Sequence, residues 1–253
     1  MNALAIMSGY FVPIVIVVAL FVLLKVRPPS LPTFEDPTTE MRVALFLFAL
    51  FVIIVTVFSV IFKSIGDVSN LPAGNKLRSL LVWSILLLPF ITTLVVRRQG
   101  LDTCLIPKKG LFLHFAVSAA MGFVAVIVYL LMIGKLILLS SVALALVTAP
   151  SLFLLAPILL EEFVFRGFLL ARLTARLGRH KGILLAAAMF GIAHYPRYLV
   201  SSQMSFLQVT QTIVLITAVS VGGGYGIYAI RCMFYGVFIH WCMDVVQTAI
   251  PPS

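Results

Sequence analysis

Two adjacent glutamates, Glu161 and Glu162, stand in the middle of a long apolar segment of the chain. An acidic residue at the centre of a membrane-spanning helix costs about 2.5–3.5 kcal/mol on insertion scales, so two of them need a specific use. Arg166 follows Glu162 by four residues, and on a helix these two side chains share a face and can form an ion pair. Glu161 points about 100° away from Glu162. The spacing predicts that Glu162 is tied to the arginine, while Glu161 is free to face another group.

Two histidines and an aspartate on later apolar segments are candidate partners of these glutamates. His194 follows Phe190 by four residues, and Asp244 follows His240 by the same spacing, so each pair shares one helical face. When depth is counted at about 1.5 Å per residue from the basic residues that flank each helix, Glu161, His194 and His240 lie within about one to two turns of a common plane. Convergent titratable groups in a low-dielectric site are what acid–base chemistry requires.

The composition places these residues in a membrane protein. Of the 253 residues, 62% are hydrophobic and 10% are charged, which is more apolar surface than a soluble domain of this length can bury. The apolar residues form runs of about 17–25, the length that crosses the hydrocarbon core as an α-helix. We predict an all-α, polytopic transmembrane helical bundle of about eight spans, with a polar cavity inside the membrane and a kink at Pro157. The predicted spans are 4–24, 43–62, 80–96, 111–133, 138–176, 182–196, 206–230 and 233–250.

The net charge of +10 comes from Lys and Arg that lie between the apolar runs, where they set topology and contact lipid headgroups. Nucleic-acid binding is therefore not expected. Twelve of these residues fall on one side of the membrane and five on the other, with Arg166 left out as intramembrane. The richer side is predicted to be cytoplasmic, with both termini outside. The twelve are Lys25, Arg27, Arg42, Arg97, Arg98, Lys108, Lys109, Arg172, Arg176, Arg179, Lys181 and Arg231, and the five are Lys63, Lys76, Arg78, Lys135 and Arg197.

The polar residues form three boxes in chain order, which read Glu161-Glu162…Arg166, Phe190…His194 and His240…Asp244. This set resembles the CAAX protease and bacteriocin-processing family of intramembrane endopeptidases, which is similar to the type II CAAX prenyl endopeptidases. The family pattern is E-E-x-x-x-R, then F-x-x-x-H, then H-x-x-x-N or a related polar residue. The resemblance covers about residues 150–250. We predict one membrane domain, residues 1–253, because the sequence shows no internal repeat or low-complexity tract. The resemblance implies that 1–140 are variable N-terminal helices and 141–250 are the catalytic core.

The resemblance implies an endopeptidase that hydrolyses a peptide bond of a membrane-associated or prenylated substrate. The protein would be a multi-pass integral membrane protein, in the cell membrane if it is bacterial, with the active site accessible from the cytoplasmic side. Asp244 stands where the family often has asparagine, and an ionised aspartate cannot donate to an oxyanion. It would instead orient a protonated His240, or be protonated itself. The implied roles are water activation for Glu161 and His194, support for Glu162 and Arg166, and oxyanion stabilisation for His240 and Asp244.

Two other functions use the same residues. The histidines and carboxylates could bind zinc, as in a metal-dependent membrane protease. HExxH is absent, however, and Arg166 would compete with a cation, so hydrolysis without a metal or other cofactor is favoured. The second alternative is a non-catalytic scaffold or a transporter that uses the buried charges as a relay. Transporters often contain inverted repeats, and the sequence shows none.

Overall fold

The computed structural model describes residues 30–61, 73–201 and 204–250, together with several positions between 6 and 19. This part of the chain is helical and contains no strand, so the predicted all-α class is confirmed. A π-helical stretch, Phe163–Leu169, joins α5 to α6. The helices are α1 (Pro37–Ile61), α2 (Ala73–Val96), α3 (Leu111–Met132), α4 (Leu139–Leu146), α5 (Ala149–Glu162), α6 (Leu170–Leu177), α7 (Arg179–Ser201), α8 (Phe206–Ile230) and α9 (Phe234–Ala249).

Four helices of the described chain, namely α1, α3, α7 and α8, are long and apolar enough to cross a membrane. The bent pair Leu136–Leu146 and Pro150–Leu177 adds a fifth crossing if it is counted as one span. The predicted count of about eight spans is not reached within the described residues. The apolar part of α2 is Leu81–Val96, and α9 has 16 residues. At about 1.5 Å per residue, each of these two segments is shorter than the hydrocarbon core is thick. Most of the predicted span 4–24 lies outside the described residues.

The predicted span 138–176 is not one straight helix, because the chain bends by 80° between α4 and α5. Pro150 explains the break. It has no N–H to continue α4, and its ring would collide with the carbonyl of Leu146, whereas the first turn of a new helix tolerates it. Thr148, just before α5, has an extended backbone. The bend therefore lies before Pro150, and Pro157 is accommodated inside α5.

The last helices alternate in direction. Gly178 alone separates α6 from α7, while residues 202–205 and 231–233 join the next two pairs, and connections this short make consecutive helices antiparallel. The end of α6, the start of α7, the end of α8 and the start of α9 therefore lie together. We name this the basic end, after Arg176, Arg179, Lys181 and Arg231. The other end of the bundle, where α7 and α9 finish, is the Arg197 end.

A cluster of four polar side chains lies near the basic end, and two of them are buried. Arg172 donates through Nε to Glu40 Oε2 at 3.0 Å and through Nη1 to the carbonyl of Phe168 at 3.2 Å. The other oxygen of Glu40 accepts from Arg97 Nε at 2.8 Å and from Gln99 Nε2 at 2.6 Å. Arg172 is 0% exposed and Glu40 is 2% exposed. Both residues lie near helix ends, and their burial and pairing have no signal in the sequence, because the two partners are 132 positions apart. The cluster ties α1 and the end of α2 to α6.

The start of α1 fixes the position of Glu40. Asp36 Oδ1 accepts hydrogen bonds from the backbone N–H groups of Thr38 and Thr39, at 3.0 and 3.1 Å, which is the usual cap of a helix N-terminus. The hydroxyl of Thr39 donates to the same carboxylate, and these hydrogen bonds hold the pKa of Asp36 below its ordinary value. Glu40 follows in the first turn, where its backbone N–H bonds to the Asp36 carbonyl.

Five buried phenylalanines lie between this cluster and the glutamates of α5. Their rings meet edge to face in a chain of contacts, with centroid distances of 5.1–6.3 Å, a favourable geometry for aromatic pairs. The guanidinium of Arg172 stacks on the first ring at 3.5 Å and that of Arg166 on the last ring at 3.7 Å. We name these rings the aromatic cluster. It consists of Phe168, Phe90, Phe51, Phe165 and Phe190, in order of contact.

Removal of the Glu40 charge should destabilise the protein. The variant Glu40→Gln leaves Arg172 buried without a counter-charge, and breaking such a pair costs about 3–5 kcal/mol. The double variant Glu40→Gln/Arg172→Met should recover part of this loss, because the unpaired charge is gone. Unfolding in mixed micelles with increasing SDS measures both effects. Glu35→Gln is the matched control, since Glu35 is exposed. A Glu40→Gln variant as stable as this control would contradict the prediction.

Candidate active site

A cavity of about 340 Å³ lies between α5, α7, α8 and α9. All six residues that the sequence singled out as site residues line it, so the three boxes converge on one space. Its wall also includes Ile6, Tyr10 and Trp83, which come from the part of the chain before residue 140. The six are Glu161, Glu162, Arg166, His194, His240 and Asp244.

Glu162 holds two helices together through one carboxylate oxygen. Its Oε1 accepts a hydrogen bond from His240 Nδ1 at 3.0 Å and lies 3.2 Å from Arg166 Nη1. Glu162 is 1% exposed and Arg166 is 8% exposed. The ion pair predicted from the i, i+4 spacing is therefore present. The third member, His240, comes from α9, and helical spacing could not have revealed it.

Gly236 makes room for this carboxylate. A Cβ at this position would collide with Glu162 Oε2 and would lie 2.8 Å from Ile227 Cδ1. The glycine stands four residues before His240, so it faces α5 from the same side of α9. Sequence reasoning missed this residue, and its spacing from His240 is the one signal that pointed to it.

His240 has a carboxylate at each ring nitrogen. Nδ1 bonds to Glu162, and Nε2 lies 3.6 Å from Asp244 Oδ2. A neutral imidazole would turn one lone pair toward a carboxylate, whereas the charged ring presents an N–H to both. The second distance is too long for a hydrogen bond, so the Nε2–H can be aimed at a further acceptor in the cavity.

His194 is fixed in one tautomer by its own helix. Its Nδ1 lies 2.8 Å from the carbonyl oxygen of Phe190. Because a carbonyl can only accept, Nδ1 carries the hydrogen and Nε2 is left as an acceptor. The ring lies between Phe190, at 4.6 Å between centroids, and Tyr198, which is nearly parallel to it at 6.3 Å. These contacts orient an imidazole whose Nε2 can accept a hydrogen bond.

Phe190 connects the two histidines to the arginine. Its ring faces the Arg166 guanidinium at 3.7 Å, a cation–π contact, and meets the His240 ring edge to face at 6.2 Å. Its carbonyl sets the tautomer of His194. The F-x-x-x-H spacing thus supplies both a packing surface and a backbone acceptor.

Glu161 differs from its neighbour. It is half-buried and lines the cavity. Among the described residues it has no hydrogen-bond or ion-pair partner, although it lies within electrostatic range of His240 and Arg197. The structure therefore separates the two glutamates as the spacing predicted, with one carboxylate engaged and the other facing the cavity.

The zinc alternative requires several donors that point at one position. Within the described residues, no three His, Cys, Asp or Glu side chains are placed to hold a metal ion. His240 faces a carboxylate with each nitrogen, and His194 uses Nδ1 for a backbone carbonyl. The Arg166 guanidinium also lies beside Glu162. In this arrangement the residues do not fit a zinc site.

Gly236→Ala should destabilise the protein by displacing Glu162. Overpacking of this kind costs about 1–3 kcal/mol, and here the methyl group also disturbs a buried ion pair. Gly223 is the matched control, because it lines the same cavity and a Cβ there would meet nothing within 4 Å. The SDS unfolding midpoint should fall for Gly236→Ala and change little for Gly223→Ala. Equal midpoints for the two variants would contradict the role given to Gly236.

Comparison with known families agrees with the sequence pattern. Residues 142–246 match the family model described as type II CAAX prenyl endopeptidase Rce1-like. No curated protein and no solved structure matches the chain. The matched range begins in α4, ends in α9 and contains all six site residues, so the predicted resemblance is confirmed over it. Over residues 142–246 the chain is thus similar to the Rce1-like type II CAAX prenyl endopeptidases.

Proposed function

We propose that this protein is an intramembrane endopeptidase that hydrolyses a peptide bond of a membrane-associated or prenylated protein substrate, with Glu161 and His194 activating the attacking water. The observation that carries this proposal is the contrast within the cavity. Glu162 and His240 are bound to each other. The Glu161 carboxylate and His194 Nε2 have no such partner in the described chain, and both line the same cavity.

The proposed reaction begins with a water between these two acceptors. Glu161 takes a proton from the water as the water oxygen attacks the carbonyl carbon of the peptide bond. His194 Nε2 accepts a hydrogen bond from the other hydrogen of the water and so orients it. The new C–O bond gives a tetrahedral intermediate. When the C–N bond breaks, the proton held by Glu161 passes to the leaving nitrogen. A positioned base of this kind contributes about 10²–10⁴-fold to the rate.

His240 is the proposed donor to the oxyanion. Its Nδ1–H is directed to Glu162, which leaves the Nε2–H to be aimed at the developing negative charge. Asp244, 3.6 Å from Nε2, favours the charged ring without using up its hydrogen. This accounts for an aspartate where the family often has asparagine, since the carboxylate acts through the imidazole. Donors of this type are worth most where water is excluded.

Glu161→Gln and His194→Ala should each reduce turnover by about 10²-fold or more, because the first removes the base that takes the proton of the water and the second removes the acceptor that orients the water. Cleavage is measured in proteoliposomes with two probes, a farnesylated peptide that ends in a CAAX sequence and an unprenylated transmembrane peptide. Glu35→Gln and His180→Ala are matched controls, since both residues are exposed and neither lines the cavity. If both site variants keep full activity on the peptide that the unmodified protein cleaves, the mechanism is wrong.

Chelation distinguishes this mechanism from the zinc alternative. Activity should survive prolonged treatment with EDTA or 1,10-phenanthroline and should not rise when zinc is added, because neither proposed step uses a metal. The chelators must inactivate a known zinc protease under the same conditions, as a control. Loss of activity with EDTA that zinc restores would establish a metal-dependent reaction instead.

A further inference from the structure

A tyrosine from outside the matched family region lies in the wall of the cavity. Tyr10 belongs to a helical segment, residues 8–13, and its side chain is half-buried. Its hydroxyl lies within electrostatic range of Asp244 and Glu162. These are the two carboxylates that flank the His240 ring, so Tyr10 lies on the same side of the cavity as this histidine. The proposed reaction leaves the hydroxyl without a role.

Contacts on both sides of Tyr10 fix its position between α8 and α9. A Cβ at Gly9 would lie 2.9 Å from both Sδ and Cε of Met243, so the segment packs directly against α9 at the residue before the aspartate of the site. A Cβ at Gly222 of α8 would overlap the ring of Phe11. Both approaches are this close because the residue is glycine. Together they hold the tyrosine ring at the gap between the two helices.

The hydroxyl of Tyr10 has no hydrogen-bond partner in the described chain. A phenylalanine would fill nearly the same space, and a polar group that is withdrawn from water is costly when it stays unpaired. Unlike a carboxylate, a phenol can donate a hydrogen bond as well as accept one. Tyr10 therefore brings an unused donor to the cavity wall.

The cavity needs such a donor, because its six site residues supply mostly acceptors. Three of them are carboxylates, and His194 offers Nε2 as an acceptor. The Arg166 guanidinium faces Glu162. This leaves the Nε2–H of His240 as the donor proposed for the oxyanion. Oxyanion holes commonly combine two donors on the developing negative charge.

We propose that the Tyr10 hydroxyl donates the second hydrogen bond to the oxyanion, beside the Nε2–H of His240. The inference rests on the proposed function, because it assigns a donor to the intermediate of that reaction. Hydrogen bonds to an ionised oxygen are stronger than those to a neutral carbonyl, so the hydroxyl stabilises the transition state more than the bound substrate. Asp244 cannot take this role as an ionised carboxylate, since it has no hydrogen to donate.

Tyr10→Phe removes the hydroxyl and keeps the ring. In proteoliposomes the variant should lower kcat by about 10²-fold with little change in KM, because an oxyanion donor acts in the transition state. Tyr129→Phe is the matched control, since Tyr129 is buried and does not line the cavity. The SDS unfolding midpoint should stay the same in both variants. A kcat for Tyr10→Phe equal to that of the control, or a rise in KM alone, would overturn the inference.

Binding of phosphinate peptides gives a second readout, which requires no turnover. A phosphinate analogue of each probe peptide places a tetrahedral centre with a negatively charged oxygen at the scissile position, and so presents the acceptor that the two donors would bind. Tyr10→Phe should raise the Kd of the analogue by about 10²-fold in detergent micelles, measured by isothermal titration calorimetry, while Tyr129→Phe should leave it unchanged.

The two readouts separate failure of the inference from failure of the proposed function. If Tyr10→Phe binds the analogue as tightly as Tyr129→Phe does while Glu161→Gln abolishes cleavage, Tyr10 is not an oxyanion donor and the proposed function stands. If the unmodified protein neither cleaves the probe peptides nor binds their analogues, the proposed function is wrong and the inference fails with it.

Discussion

The buried carboxylate of Glu162 is the interaction on which the rest of the site depends. A carboxylate that is 1% exposed is costly unless it is paired, and here one oxygen serves both Arg166 and His240. The pairing fixes the separation of α5 and α9, and it explains why α9 has a glycine where any side chain would meet that carboxylate. The helix leaves the α form directly after Glu162, and π-helical turns are frequent at functional sites.

Residues outside the matched family region complete the domain. Glu40, Arg97 and Gln99 supply the partners of Arg172, which lies inside that region. Tyr10 and Trp83 supply part of the cavity wall. A fragment limited to residues 142–246 would therefore keep a buried arginine without its counter-charge and a cavity without one wall. The helices before residue 140, which resemble the family only in being apolar, therefore pack against the matched region as parts of one bundle.

The sequence was sufficient for what depends on local spacing and insufficient for what depends on contacts between distant segments. The ion pair of Glu162 with Arg166 follows from a separation of four residues. The grouping of the three boxes followed from the cost of burying charge together with depth along each helix. The link from Glu162 to His240 spans 78 positions and that from Arg172 to Glu40 spans 132, so no periodicity could reveal them. The bend before Pro150 had a signal in the sequence, which the apolar composition of the segment 138–176 obscured.

The aromatic cluster has a consequence for the membrane itself. The polar cavity and the cluster around Arg172 would, if they were continuous, give ions and protons a polar path across the bilayer. The five phenylalanines would interrupt that path, because their side chains offer no hydrogen-bond partner, and a buried guanidinium group stacks on the ring at each end of the cluster. An apolar layer of this kind opposes the passage of ions and protons, because an unpaired charge among apolar side chains is very costly.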